Sequence, residues 1–270
     1  MIPNSILDLF KNIQRVFLKL NIFIQTERFG SNDKIDVKKF LKRNRPLKTN
    51  INLIRIGSKI DGGYLLPNDF KEIKFCFSPG VSNNSDFEFN LFEKFGIKSF
   101  LADYSVDGPP IKSDAFFFKK IFINSYSDDL NITLENWMKS VDIDSNDDLI
   151  LQMDIEGSEY DVLIETDIEI LKKFRIMAIE FHNFHYLFNE YGFKLINSVF
   201  EKLSKVFYVV HIHPNSCSKV YENNGIQIPP IVEYTFLRKD RVKQLKNNIN
   251  FPHELDHDKN FILPNCFFKF

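Results

Sequence analysis

Short apolar runs alternating with amphipathic stretches occupy the chain from residue 73 onward, and this alternation constrains the fold more than any other feature. Runs of strand length fall at residues 73–77, 99–102, 116–123, 149–153, 176–179 and 206–212, with helical patterns at 87–95, 134–138, 160–164 and 188–203 between most of them. Such alternation predicts a parallel sheet covered by helices on both faces. A last run, 231–237, follows 206–212 across a Gly/Pro/Asn-rich loop with no helical pattern long enough for a right-handed crossover, so a hairpin joins the two. The expected fold is α/β and Rossmann-like, a mostly parallel seven-stranded sheet whose last strand is antiparallel.

With 270 residues, 44% of them hydrophobic, the chain can bury one large core, alone or with an appendage. The net charge of −1 hides an asymmetry: residues 1–50 hold eleven Lys or Arg against four Asp or Glu, which leaves the rest at −8. Within that basic arm Ile6, Leu9, Phe10, Ile13, Val16, Phe17 and Leu20 recur at helical spacing, and Lys11, Arg15 and Lys19 form a separate row. Such a helix packs on its own domain, on a second subunit in a homo-oligomer, or on a membrane surface. The expected organisation is a basic helical extension over 1–50 and a catalytic domain over 51–270. The acidic remainder lacks the basic groove that phosphate backbones require, which excludes a nucleic-acid partner. Three scattered cysteines, Cys76, Cys217 and Cys266, form no disulfide framework or zinc motif, and no apolar run approaches a membrane span. The expected location is cytoplasmic, with peripheral contact at the inner membrane through the basic helix.

Ligands of an open parallel sheet bind beyond the carboxyl ends of its strands, so the residues that end each run are the informative ones. The runs end in Ser78-Pro79-Gly80, Asp103, Asn124-Ser125, Asp154, Glu180 with His182, and His211 with His213. Gly80 permits close backbone approach to a ligand, and Asp103 stands where a carboxylate accepts the ribose hydroxyls of a bound nucleoside. Glu180 and His182, two apart, project from one face, and with Asp154 on the adjacent strand end they form candidate ligands for a divalent cation such as manganese or magnesium. The alternative is that the histidines only hydrogen-bond substrate, one of them serving as base. Four of the six histidines fall within residues 182–213, whereas His253 and His257 fall in a Pro-flanked stretch that reads as a surface loop. Trp137 and Met138 read as packing, and Glu159 as serving the first turn of the helix it opens.

The segment Asp154-Ile155-Glu156-Gly157-Ser158-Glu159, completed by Leu163, resembles the D-x-E-G-x-E-x-x-x-L motif of the FkbM family of methyltransferases. Asp61-Gly62-Gly63-Tyr64, Phe77-Ser78-Pro79-Gly80-Val81, Asp103 and Ile179-Glu180-Phe181-His182 agree with that family. His211-Ile212-His213-Pro214-Asn215 and Pro229 to Glu233 are similar to a sugar-modifying bacterial branch. The resemblance implies the class I methyltransferase fold, S-adenosyl-L-methionine as donor, and O-methylation of a sugar, nucleotide-activated or glycan-linked, in surface polysaccharide biosynthesis. The alternative acceptor is a small non-sugar or lipid-linked metabolite at the membrane surface. Cofactor contacts are implied at Gly62, Gly63, Tyr64, Ser78, Gly80, Asp103, Ser125 and Asp154; catalytic roles at Asp154, Glu156, His211 and His213; metal ligation at Asp154, Glu180 and His182. The first motif departs from the family pattern, with Ser-Pro-Gly where Asp-x-Gly-Ala-x-x-Gly is common.

Overall fold

Side chains on a strand alternate between faces, and here both faces are apolar, so the central strands must be covered twice. The computed structural model describes residues 34–59, 62–144, 147–215, 220–246 and 252–257. The basic amphipathic pattern at residues 6–20 lies outside them, as do Asp61, Cys217 and Cys266. The described residues open with helix α1 (Lys34–Arg43), followed by a hairpin of β1 (Leu53–Gly57) and β2 (Gly63–Pro67). There follow β3 (Phe75–Pro79), α2 (Asp86–Phe95), β4 (Lys98–Ala102), β5 (Phe116–Lys119), α3 (Leu134–Lys139) and β6 (Leu149–Met153). The second half contains α4 (Glu159–Glu165), α5 (Ile168–Leu171), β7 (Phe174–Phe181), α6 (Glu190–Ser204), β8 (Phe207–Pro214) and β9 (Val232–Arg238).

Seven strands form one sheet in the order β8-β9-β7-β6-β3-β4-β5. The pairs from β7 to β5 are parallel, while β9 runs antiparallel to both β7 and β8. The expected mostly parallel sheet with an antiparallel last strand is therefore present, and β9 inserts between β7 and β8 as the hairpin reading requires. The sheet reverses winding at β3 and β6, where their carboxyl ends open a crevice.

Alternation divides the core. Phe77, Leu151, Met153, Met177, Ile179 and Phe181 face the side covered by α1, α3, α4 and α6, while Cys76, Ile150, Ile176 and Ala178 face α2 and the β1–β2 hairpin. Helix α1 buries Val37, Phe40 and Leu41 in the first of these clusters, with the Phe40 ring edge-on to Phe200 at 5.1 Å. Trp137 and Met138 are buried in the same cluster, as packing residues. Helix α6 starts on Asn189, whose side chain accepts hydrogen bonds from the backbone of Tyr191 and Gly192. Among the described residues no helix is long and apolar enough to cross a membrane.

One expected strand is divided. The run 116–123 leaves the sheet after Lys119, because its parallel partner β4 ends at Ala102 and Ile121 N–H turns back onto the Lys119 carbonyl. Phe122–Ile123 instead pairs in parallel with Asn131–Ile132. Asn124 and Ser125 therefore end this small separate pair, not a strand of the main sheet.

Candidate active site

The crevice is closed at its base by backbone contact. Gly80 has φ +89°, and a Cβ there would lie 1.5 Å from the Asp154 carbonyl oxygen, so only glycine lets the turn after β3 pack on the end of β6. Gly80 N–H donates to Ala102 and Asp154 N–H to Pro79, joining three strand ends at one point. Gly62, at φ +67°, sets the hairpin turn against the Asn84 side chain, which brings Gly62 and Gly63 beside the loop that follows β3. Asp103 fixes both neighbouring loops: Oδ2 accepts from Ser82 N–H at 2.8 Å, and Oδ1 from the backbone and hydroxyl of Ser105 at 2.8 and 2.7 Å. Among the described residues these bonds use three of its four acceptor positions.

Asp154, Glu180 and His182 come together as the strand ends require. One ligand atom from each lies within 4.8 Å of the other two. Asp154 Oδ1 is buried without a hydrogen-bond partner, and His182 Nε2 stands 3.9 Å from it. Burial, then the charge of Glu180, push the Asp154 carboxyl well above the usual carboxylate range; Glu156 and Glu159 add to this and His182 opposes it. His182 Nε2 is 3.3 Å from Glu156, whose side chain is exposed. Burial alone would lower His182, but the Glu159 hydrogen bond and the carboxylates around it outweigh burial and keep the ring protonated.

Glu159 has a different part from the one its position predicts. Fully buried, it accepts from the backbone N–H groups of Ile155 and Gly157, both at 3.1 Å, and from His182 Nδ1 at 3.0 Å. It therefore closes the turn before α4, where Glu156 takes φ +56°, and orients His182. Glu180 accepts from Asn215 Nδ2 at 2.9 Å and faces Glu233 across the β7–β9 ladder.

A second group lies on β8. His211 and His213 are two residues apart with rings nearly parallel, and the Asp256 carboxylate reaches both from the C-terminal segment: Oδ1 is 3.0 Å from His211 Nε2 and 3.7 Å from His213 Nδ1. All three side chains are at least nine-tenths buried. Burial pushes His211 down, whereas the two imidazoles hold Asp256 below the usual carboxylate range against its own desolvation. The stretch containing His253 is not a detached surface loop, since the His253 ring stands perpendicular to His211 at 6.2 Å. Nothing in the spacing of the sequence marks Asp256, because its partners lie more than forty residues earlier. His185 joins neither group; its ring stacks on Tyr221 at 3.9 Å.

Beneath the crevice runs a buried polar chain. Gln152 Nε2 donates to the Tyr64 hydroxyl at 3.2 Å, Ser78 Oγ donates to Gln152 Oε1 at 2.5 Å, and Ser78 also bonds Glu88. Tyr64 is raised by burial and by the charges of Asp154, Glu180 and Glu233, which places it below the acidic group. Ser125 is half-buried, its N–H held by Asn124 Oδ1 at 2.8 Å.

A seven-stranded sheet of this order, with an antiparallel strand inserted next to its edge and a carboxylate after each of β4 and β6, is the Rossmann-like fold of the methyltransferases. The model of the methyltransferase FkbM domain matches residues 43–210, and the chain belongs to that family. No curated protein sequence matches it.

Proposed function

We propose that the protein is an S-adenosylmethionine-dependent O-methyltransferase that acts on a sugar hydroxyl, nucleotide-activated or glycan-linked, in the assembly of surface polysaccharide. The observation that carries this reading is the convergence of Asp154, Glu180 and His182 beside the Gly80 turn. The residues present fit the donor: Asp103 is pre-oriented by Ser82 and Ser105 with an acceptor position left for a ribose hydroxyl. The acidic group suits a ligand that carries a positive sulfonium. Bound S-adenosylmethionine supplies a methyl group already activated for transfer.

The protein's own work is alignment and proton removal. The chain's residues would hold the acceptor oxygen toward the methyl group that the bound donor would supply, and a rim imidazole would take the hydroxyl proton. A sugar acceptor is favoured by what surrounds that point. His211, His213, Asn215, Glu180 and Glu233 are all buried polar groups on or just after neighbouring strands, and a lining of this polarity suits a polyhydroxylated ring. The orphaned Asp154 Oδ1, with Glu180 and His182, also fits a divalent cation. Two carboxylates and the His182 imidazole, which would give up its proton on ligation, would hold manganese or magnesium, and such a cation would lower the pKa of a bound hydroxyl.

The test has two stages. Calorimetry with S-adenosylhomocysteine should show binding; its absence overturns the reading. Mass spectrometry of nucleotide sugars incubated with enzyme, labelled donor and Mn²⁺ or Mg²⁺ should then show one added methyl group. Undiminished turnover in excess chelator would remove the cation and leave the histidines as the sole means of activation.

A further inference from the structure

We propose that Glu88, on α2 and away from the crevice itself, is a positioning residue: its proton sets the direction of the hydrogen-bond chain through Ser78 and Gln152, and thereby decides whether the Tyr64 hydroxyl gives its hydrogen to a ligand or to Gln152. The proposal rests on the methyltransferase reading above and deepens it.

The chain of bonds crosses four elements, α2, β3, β6 and β2. Ser78 Oγ is bonded both to Glu88 Oε1 and to Gln152 Oε1, the second at 2.5 Å. Gln152 Nε2 donates to the Tyr64 hydroxyl at 3.2 Å, and among the described residues this is the only hydrogen bond that hydroxyl makes. The charges that act on Tyr64 are those of Asp154, Glu180 and Glu233, so its oxygen stands at the crevice end of the chain. Glu88 stands at the other end, 2% exposed, with Oε2 buried and without a hydrogen-bond partner. The titratable groups set against it are Asp86 on its own helix and the Cys76 thiol on β3, and neither supplies a positive charge. Burial pushes the Glu88 carboxyl up to about 7 against the Ser78 bond.

Proton counting leaves two complete arrangements. A hydroxyl has one hydrogen, and an amide has a donor end and an acceptor end. With Gln152 Oε1 toward Ser78, Ser78 spends its hydrogen on that oxygen, and the bond to Glu88 can be made only by a hydrogen on Glu88. Gln152 then donates to Tyr64, whose own hydrogen is left for an acceptor atom in the crevice. When Glu88 loses its proton, Ser78 must donate to the carboxylate. The amide turns end for end, its Nε2 donates to Ser78, and Tyr64 spends its hydrogen on Oε1. The inner bonds are kept in both arrangements; what differs is the charge on a buried carboxylate with one bare oxygen and the face that Tyr64 shows to the crevice. The first arrangement takes a ligand with a hydrogen-bond acceptor at Tyr64, carried by the methyl donor or by the sugar.

The experiment uses the full chain with ¹³C-labelled glutamate and ¹⁵N-labelled glutamine. The Glu88 carboxyl signal should titrate with a midpoint near 7, and the Gln152 NH2 signals should move with the same midpoint. In Glu88→Gln, which has no proton to lose, the Gln152 signals should not move with pH. The Kd of S-adenosylhomocysteine and the acceptor KM of the nucleotide-sugar panel are then measured at pH 6 and pH 8. A group that titrates near 7 is about nine-tenths neutral at the first and about one-tenth at the second, so one of these constants should weaken up to about tenfold more in the wild type than in Glu88→Gln. Asp154 and His182 titrate in both proteins and drop out of that ratio. Either step supports the proposal, the Kd step assigning the partner of Tyr64 to the methyl donor and the KM step to the sugar. Tyr64→Phe should abolish the step and leave the Gln152 titration in place, which a purely structural role for Glu88 would not produce. A Glu88 carboxyl already ionised at pH 5, Gln152 signals indifferent to its titration, or the same pH step in wild type and Glu88→Gln would overturn the proposal. Failure of the wild-type protein to bind S-adenosylhomocysteine would instead remove the functional reading, while the two titrations would still report on Glu88.

Discussion

The two polar groups at the rim are built from the same residue types and balanced in opposite ways. Around His182 gather Asp154, Glu156, Glu159 and Glu180, four carboxylates on one imidazole, and one oxygen of Asp154 is left buried without a partner. On β8, His211 and His213 both lie near the Asp256 carboxylate, which is held in its charged form, and Glu233 stands opposite His213 in the ladder. The first group carries excess negative charge and gains from anything cationic placed among it. The second sets two buried imidazoles near one carboxylate oxygen, with His211 Nε2 3.0 Å from Asp256 Oδ1. In the proposed reaction the difference would separate two tasks: holding and polarising the reacting groups, and taking the proton away.

Breaking the acidic group should have the largest effect. Asp154→Asn should lower turnover ~10³-fold while leaving S-adenosylhomocysteine binding within about threefold, measured by mass-spectrometric turnover and calorimetry. Parallel loss of both would place Asp154 on the cofactor side of the crevice.

Glu88 is a carboxylate buried outside both groups and serves as the control for burial alone. Burial raises it from 4.5 to about 7, with the Ser78 hydrogen bond opposing. A raised acid favours the protonated folded state, so its ionisation destabilises progressively as pH rises from about 4.5 to 7, by up to roughly 3 kcal/mol. Glu88→Gln should therefore raise Tm at pH 8 and leave it nearly unchanged at pH 4.5, read by thermal scans at both.

The same carboxylate-to-amide change should shift stability in opposite directions in the two groups. Asp154 is raised, so its charge costs stability above the ordinary carboxylate pKa, and Asp154→Asn in chelator at pH 8 should raise Tm by ~2–4 °C. Asp256 is depressed, so it contributes stability above its ordinary pKa that is lost as pH falls below it; Asp256→Asn should lower Tm by a similar ~2–4 °C at pH 8 and by less at pH 3. Equal signs in the two variants would remove the distinction between the groups. The smallest effect is expected from manganese, which should raise the Tm of the wild type by ~1–3 °C at millimolar metal and leave Asp154→Asn unmoved.

The strand ends were legible because an open parallel sheet leaves little freedom in where its carboxyl termini point. Asp103, Asp154, Glu180 and His182 each follow a run of apolar residues, and the chain geometry alone carries them to one rim. The division of the 116–123 run was not legible, since its apolar pattern continues unbroken; the break comes where β4 runs out of residues to pair with. Glu159 read as a helix-start residue because acidic side chains favour that position in any helix. Its bond to His182 depends on β7 ending beside α4, which the spacing of the sequence does not express.

The amino-acid sequence by itself determined the layered α/β architecture, the hairpin that reverses the last strand, and the acidic turn after β6, because these follow from local periodicity and from the few ways strands can be connected. Only the tertiary structure decided the charge balance of the rim. Whether a carboxylate stands alone or near two imidazoles depends on which segments meet, and Asp256 meets His211 only when the segment 252–257 lies against β8.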